Sequence, residues 1–232
     1  EINVNFLVNR TKTGSHAEGP GDGAVTWQAN IKDSTLVFHS AGNSAGLLAA
    51  GGVGQDQDAS DLWTQSHTIL QRVWIPSGQT GVGPLFGLDD DTNGWELFWV
   101  NLGTDDLNTG QDGTAAAVTF SLTGHLSQWI TVATVADETA QTKRLYFGKS
   151  GTNFIEVGTA ATLYDPRETV VGQTARLGSH DNGIGGFDIL KEGRIAETAI
   201  WNAAVSVGDM IEKMESWSEN LPLPDNVTPG GS

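Results

Sequence analysis

The stretch that decides the fold runs from Gly193 to Trp217 and reads GRIAETAIWNAAVSVGDMIEKMESW. Its first part, Gly193 to Trp201, is a short run of apolar, β-branched and aromatic residues that ends at Trp201-Asn202, the signature of a strand reaching a corner. Its second part begins at Ser206, whose hydroxyl suits a helix N-cap, with Asp209 three positions later as an acidic variant of the capping box. Val207, Met210, Ile211 and Met214 then fall at helical spacing on one side. The sequence therefore predicts a final strand followed by one short amphipathic helix that docks on a sheet.

Working outward from this ending, the rest of the chain reads as strands. Strand-like runs cover Ile2 to Asn9, Ser34 to His39, Ser66 to Ile75, Gly83 to Leu88, Gly94 to Leu102, Ala115 to Leu122, Gln128 to Val135 and Lys143 to Gly148. FIEVG, ETVVGQTARLG and GRIAETAIW complete the set. Turn chemistry separates nearly every pair, as in PSG, DDDTNG, DETAQT, KSGTN and HDNGIGG. In HTILQRVWI, Ile69, Gln71, Val73 and Ile75 share one face while Leu70, Arg72 and Trp74 share the other. In QWITVATV, Trp129, Thr131, Ala133 and Val135 oppose Ile130, Val132 and Thr134. Strands apolar on both faces belong in the middle of a layered structure. The expected fold class is all-β: a single antiparallel β-sandwich, or jelly roll, with one short C-terminal helix. Residues 1–33 read as an N-terminal strand or arm and Gly-rich tether, 34–220 as the sandwich, and 221–232 as a flexible tail.

Composition narrows the function. The 232 residues hold 28 acidic and 12 basic side chains, a formal charge of −16, which repels phosphate backbones and argues against a nucleic-acid partner. There is no cysteine, so disulfides and thiolate metal sites are excluded. A core of this size does not need disulfide staples, so an extracellular home stays open. No apolar run approaches the roughly 20 residues that span a bilayer. The first residue is Glu1 rather than Met, the expectation being a removed leader or a piece of something longer.

Three stretches together resemble the laminin-G-like members of the concanavalin-A-like lectin/glucanase superfamily. STLVFHSAGNSAGLLAAGG followed by HTILQRVWIP is similar to the family's opening strand, loop and long strand ending in a Trp-x-Pro corner. QWITVATVADETAQTKRLYFGKSG is similar to its Trp-x-x-Val-Ala strand, hairpin and Leu-Tyr-x-x-Gly strand, and GRIAETAIWNAAVSVGDM to its closing strand and helix. The resemblance spans roughly Thr35 to Met214. It implies a jelly roll, an architecture that hosts lectins, adhesins, glucanases, lyases and virion parts alike.

The sharpest local motif is DDDTNG. Asp89, Asp91, Asn93 and Gly94 match the Asp-x-Asp-x-Asn-Gly pattern in which alternate oxygens converge on Ca²⁺. The glutamate expected at the twelfth position falls on Val100, and the same residues also build an ordinary hairpin turn. Further acidic loops place Asp56, Asp58, Asp105, Asp106 and Asp181 where a sandwich gathers its rim, so calcium is the expected cofactor if any is used. Trp63, Trp74, Trp95, Trp99, Trp129 and Trp201 lie in or beside strands and read chiefly as core. Trp95 and Trp99 share one face of GWELFWV, against Glu96, Phe98 and Val100. With Asn182 of the SHDNG loop, they are the candidate sugar contacts.

Glycosidases of the superfamily carry two close carboxylates on one strand, as Glu-x-Asp-x-x-Glu or a near variant. No such triplet occurs here, and Glu192 and Glu197 fall on opposite faces of the closing strand. The expected function is thus a non-catalytic binding or adhesion module, extracellular or on a cell surface or virion. Its partner is a glycan or a surface protein, met through acidic rim loops. The alternative is a structural virion component, a capsid decoration or fibre domain, working through contacts with virion neighbours or copies of itself. A polysaccharide-degrading enzyme ranks third.

Overall fold

The computed structural model describes residues 2–3, 17–18, 25–29, 34–38, 47–49, 66–89, 96–111, 118–149, 151–162, 174–181, 187–190, 192–201 and 203–220. The amino-terminal strands are β1 (Ile2–Asn3), β2 (Ala17–Glu18), β3 (Val25–Ala29), β4 (Ser34–Phe38) and β5 (Leu47–Ala49). The long central strands are β6 (His67–Trp74), β7 (Val82–Asp89), β8 (Glu96–Asn101), β9 (Asp106–Gln111), β10 (Val118–Ser121), β11 (Trp129–Asp137), β12 (Thr142–Gly148) and β13 (Ile155–Thr162). Then come β14 (Thr174–Leu177), β15 (Ser179–Asp181), β16 (Phe187–Ile189), β17 (Arg194–Trp201) and the helix α1 (Val207–Asn220). An eight-stranded sheet runs β1-β3-β4-β17-β6-β11-β12-β13, a seven-stranded sheet β10-β9-β8-β7-β14-β5-β2, and β15-β16 form a separate ribbon. The fold is an all-β antiparallel sandwich with a single helix, as the sequence predicts.

The inter-sheet core follows from the alternation. Ile69, Val73, Ile130, Val132 and Leu145 of the eight-stranded sheet meet Leu85, Phe86, Phe98, Val100, Leu107 and Val118 of the seven-stranded one. Three polar side-chain contacts tie the layers to one another, as burial favours. The wholly buried Lys143 donates from Nζ to the Gly110 carbonyl, 3.0 Å away on the facing sheet. The hydroxyls of Thr109 and Thr134 bridge the sheets at 2.9 Å, and Gln71 Nε2 donates to the Leu85 carbonyl at 3.1 Å. Where the sheets close at one side, Gly158 takes φ 72°, and a Cβ there would sit 2.8 Å from Val118 Cγ1 and 2.9 Å from the Thr119 carbonyl. Only glycine meets both conditions without strain.

A second apolar cluster lies on the outer face of the eight-stranded sheet. Met210, Met214 and Trp217 of α1 cover Leu70, Ala133, Val135, Tyr146 and Phe154. The cap forms as the sequence predicts: Asp209 N–H donates to Ser206 Oγ at 3.2 Å, and Ser206 N–H to Asp209 Oδ2 at 3.1 Å.

Three sequence expectations need correction. Val207 is not part of the docking stripe: it is 40% exposed, because it occupies the first turn before the helix reaches the sheet, and Trp217 takes its place in the cluster. Asp106 does not lie in a loop but opens β9, a strand that DLNTGQ hardly advertises and that ladders on both sides with β8 and β10 impose. Residues 25–29, assigned to the tether, pair with β4 within the eight-stranded sheet, and Ile2–Asn3 pairs with β3 of the same chain.

Candidate functional site

Among the described residues, Asp89 and Asp106 lie at opposite ends of the seven-stranded sheet. In the ladder, Val82 pairs with Asn101 and Asn101 with Asp106, whereas Asp89 closes the other end of β7 opposite Thr174. Seven residue steps at about 3.4 Å put these ends about 24 Å apart, so Asp89 and Asp106 cannot share an ion. Asp105 sits in a turn with φ 60°, and Asp106 Oδ2 accepts the Thr104 hydroxyl at 2.7 Å. The backbone of Asp181 ends β15. Asp56, Asp58, Asp91, Asn93, Trp95 and Asn182 lie outside the described residues. Among the described residues no three His, Cys, Asp or Glu side chains come together as a metal-binding group.

Of the tryptophans that read as core, Trp74, Trp99 and Trp129 lie outside both apolar clusters, and Trp63, like Trp95, lies outside the described residues. Trp74, Trp99, Trp129 and Trp201 are all half-buried, and none belongs to the inter-sheet core. The pleat explains this: Val73, Ile130, Phe98 and Val100 take the inner face, leaving their neighbours Trp74, Trp129 and Trp99 on the outer one. Trp201 packs against the cluster under the helix. Trp99 lies opposite Asn108, whose side chain is fixed by a bond to the Asp106 carbonyl (2.7 Å) and by the Thr119 hydroxyl (2.9 Å).

On the eight-stranded sheet the arrangement is more extended. Arg194 of β17, Trp74 of β6 and Trp129 of β11 are successive partners across three strands, so all three project from the outer face in one row. The Arg194 guanidinium carbon lies 5.2 Å from the Trp74 ring centroid, a cation–π contact. Its Nε is buried without a hydrogen-bond partner, and burial, partly offset by Glu192, lowers the arginine's proton affinity. Arg72, half-buried, stands on the same face one row along, opposite Thr131 and Glu197.

The row is held rigidly. Ser127 N–H donates to the Ile75 carbonyl at 2.7 Å, and the Ser77 amide donates to Ser127 Oγ at 3.1 Å, joining the exit of β6 to the entry of β11. Leu102 N–H reaches the Gly81 carbonyl (2.9 Å) and Leu122 N–H the Asp105 carbonyl (2.7 Å), so the loops at this end brace one another. Beside the row, Lys149 Nζ donates to Gln128 Oε1 at 2.7 Å.

A cleft of about 530 Å³ opens on the same outer face, at the amino end of α1. Asp137, Arg144, Tyr146 and Glu156 supply its polar wall, and the exposed Val207 lies at its rim. Arg144 Nε stands 3.9 Å from Glu156 Oε1. Burial first, then the nearby Glu156 charge, push the Tyr146 hydroxyl above the usual tyrosine range, while Arg144 acts against them. A phenol held protonated in this way is a poor nucleophile at neutral pH. Sequence reading missed this cleft because its walls come from β11, β12, β13 and the segment before α1.

Comparison with known proteins defines the architecture. No protein-family model matches the sequence, and no curated protein matches it. Among solved structures the chain is similar to a heptameric SAP-like pentraxin from Limulus polyphemus, with TM-score 0.50 and 15% identity over 81% of this chain and 78% of that one. It is similar to the binding domain of botulinum neurotoxin serotype D, with TM-score 0.59 and 15% identity over 93% of this chain and 51% of that one. It is also similar to a Trypanosoma rangeli sialidase in complex with sialic acid, with TM-score 0.59 and 12% identity over 94% of this chain and 33% of that one. The shared property is the β-sandwich. The chain spans about half of the toxin domain's length and a third of the sialidase's, and at these identities the likeness is one of fold. Among the described residues no helix is long and apolar enough to cross a membrane.

Proposed function

We propose that the chain is a non-catalytic carbohydrate-binding module of the laminin-G-like kind, displayed outside a cell or on a virion, and that the Trp74–Trp129 row is its sugar platform. The observation that carries this reading is the pair of half-exposed indoles, neighbours in the β6–β11 ladder and outside the footprint of α1. Flat pyranose faces pack on such rings, and two adjacent strands space the rings for consecutive sugar units. Pre-organisation by the Ser127 contacts lowers the ordering cost of binding. The fold shared with a toxin binding domain supports a recognition role. A glycan array followed by calorimetry tests the proposal. Trp74→Ala and Trp129→Ala should each weaken the bound sugar by tenfold or more with the fold intact. Unchanged affinity in both variants, or no sugar bound by the native chain, overturns it.

A further inference from the structure

We infer that the same row selects acidic sugars, Arg194 meeting a carboxylate or sulfate on a pyranose that rests on Trp74 and Trp129; this rests on the carbohydrate reading above. Arg194 is the third member of the row, in register with Trp74, and its guanidinium lies against that indole. A guanidinium normally meets planar oxyanions through its fork of donors. Here one donor, Nε, is buried with no hydrogen-bond partner, while the residue as a whole stays half-exposed. The protein has thus removed water from part of the cation without supplying an acceptor. An anion arriving at the exposed part neutralises a charge that water no longer fully solvates, and does so where the dielectric is lowered by the Trp74 indole.

The surrounding charge explains why the contact must be short-ranged. The chain carries −16 overall, so its long-range field opposes an anionic ligand. At this end of the outer face the charges are mixed, since Glu197 pairs with Arg72 in the ladder and the Glu192 charge acts on Arg194. Selectivity for acid therefore belongs to the contact itself, and added salt should screen the opposing field more than the half-buried contact.

Calorimetry with a galacturonate oligosaccharide, a sulfated galactose oligosaccharide and a neutral galactose oligosaccharide of equal length tests the inference. The native chain should bind at least one acidic form about tenfold more tightly than the neutral one, the two acidic arms separating carboxylate from sulfate. Arg194→Gln should lower the affinity for the acidic ligand about tenfold more than the affinity for the neutral one. Arg194→Lys, which keeps the charge and loses the planar fork, should fall between. Trp129→Ala should weaken acidic and neutral sugars together. Binding of the neutral sugar as tight as the acidic ones, or equal losses for both in Arg194→Gln, overturns the acidic preference and leaves the platform standing. Absence of binding to all three, or a Trp129→Ala variant that binds all three normally, overturns the platform as well.

Discussion

The outer face of the eight-stranded sheet has two halves built from the same strands. Toward one end, Leu70, Ala133, Val135 and Tyr146 lie beneath Met210, Met214 and Trp217. Toward the other, Trp74, Trp129 and Arg194 stand half-exposed. Both halves carry outward-facing side chains of β6 and β11, which pair along their length. The first is apolar because a helix covers it. The second carries two indoles and an arginine, and α1, the helix of the described residues, does not reach it.

The contrast predicts a separation of stability from binding. The largest expected effect is Met210→Ala, which empties a wholly buried position under the helix and should cost about 2–5 kcal/mol in chemical denaturation, with sugar affinity unchanged. Next, Ser206→Ala removes the acceptor for the Asp209 amide and should lower stability by about 1 kcal/mol, again without touching binding. Trp129→Ala, on the bare half, should cost only about 0.2–1 kcal/mol, the usual worth of one cross-strand pair, while sugar binding falls. If Trp129→Ala destabilises the fold as strongly as Met210→Ala, the two halves are not different in kind.

The smallest expected effect is a pH dependence from the loop that leads into Trp129. Burial first, then the Lys149 charge, hold the His125 imidazole below the usual histidine range, with its ring 4.7 Å from that of Phe147. A depressed folded value favours the neutral form. The contribution is therefore present above the ordinary histidine value near 6.5 and is lost as pH falls below it, because the unfolded chain takes up the proton first. Melting temperature should decline slightly as pH drops from 7 toward 5, and His125→Gln should flatten that part of the curve. An identical profile in the variant would assign the decline to other groups.

Much of this was legible in the residues, for identifiable reasons. The strands around Ile69–Val73, Ile130–Val132 and Leu145–Phe147 declared themselves because both of their faces are apolar. The helix start was readable because capping is local, with Ser206 and Asp209 three positions apart. Strand β9 was not: Asp106, Asn108 and Gly110 have little strand preference, and the ladders with β8 and β10 hold them extended. The candidate site was half legible. The sequence supplied Trp74 and Trp129 with their correct faces but assigned them to a core. It supplied Arg194 with no hint of its neighbours, since Arg194 is 120 positions from Trp74 and only the β6–β17 register joins them.

By itself the sequence determined the class of fold, the inner and outer face of each strong strand, and the single helix with its cap. All are consequences of periodicities of two and 3.6 residues, which act over a few neighbours. Only the tertiary structure decided which part of the outer face the helix covers. A 14-residue helix extends about 21 Å, too short to cover an eight-stranded sheet. Where the chain leaves β17 fixes which side chains it covers. The indoles beyond its reach, and the arginine brought beside them by strand pairing, are the surface proposed for a ligand.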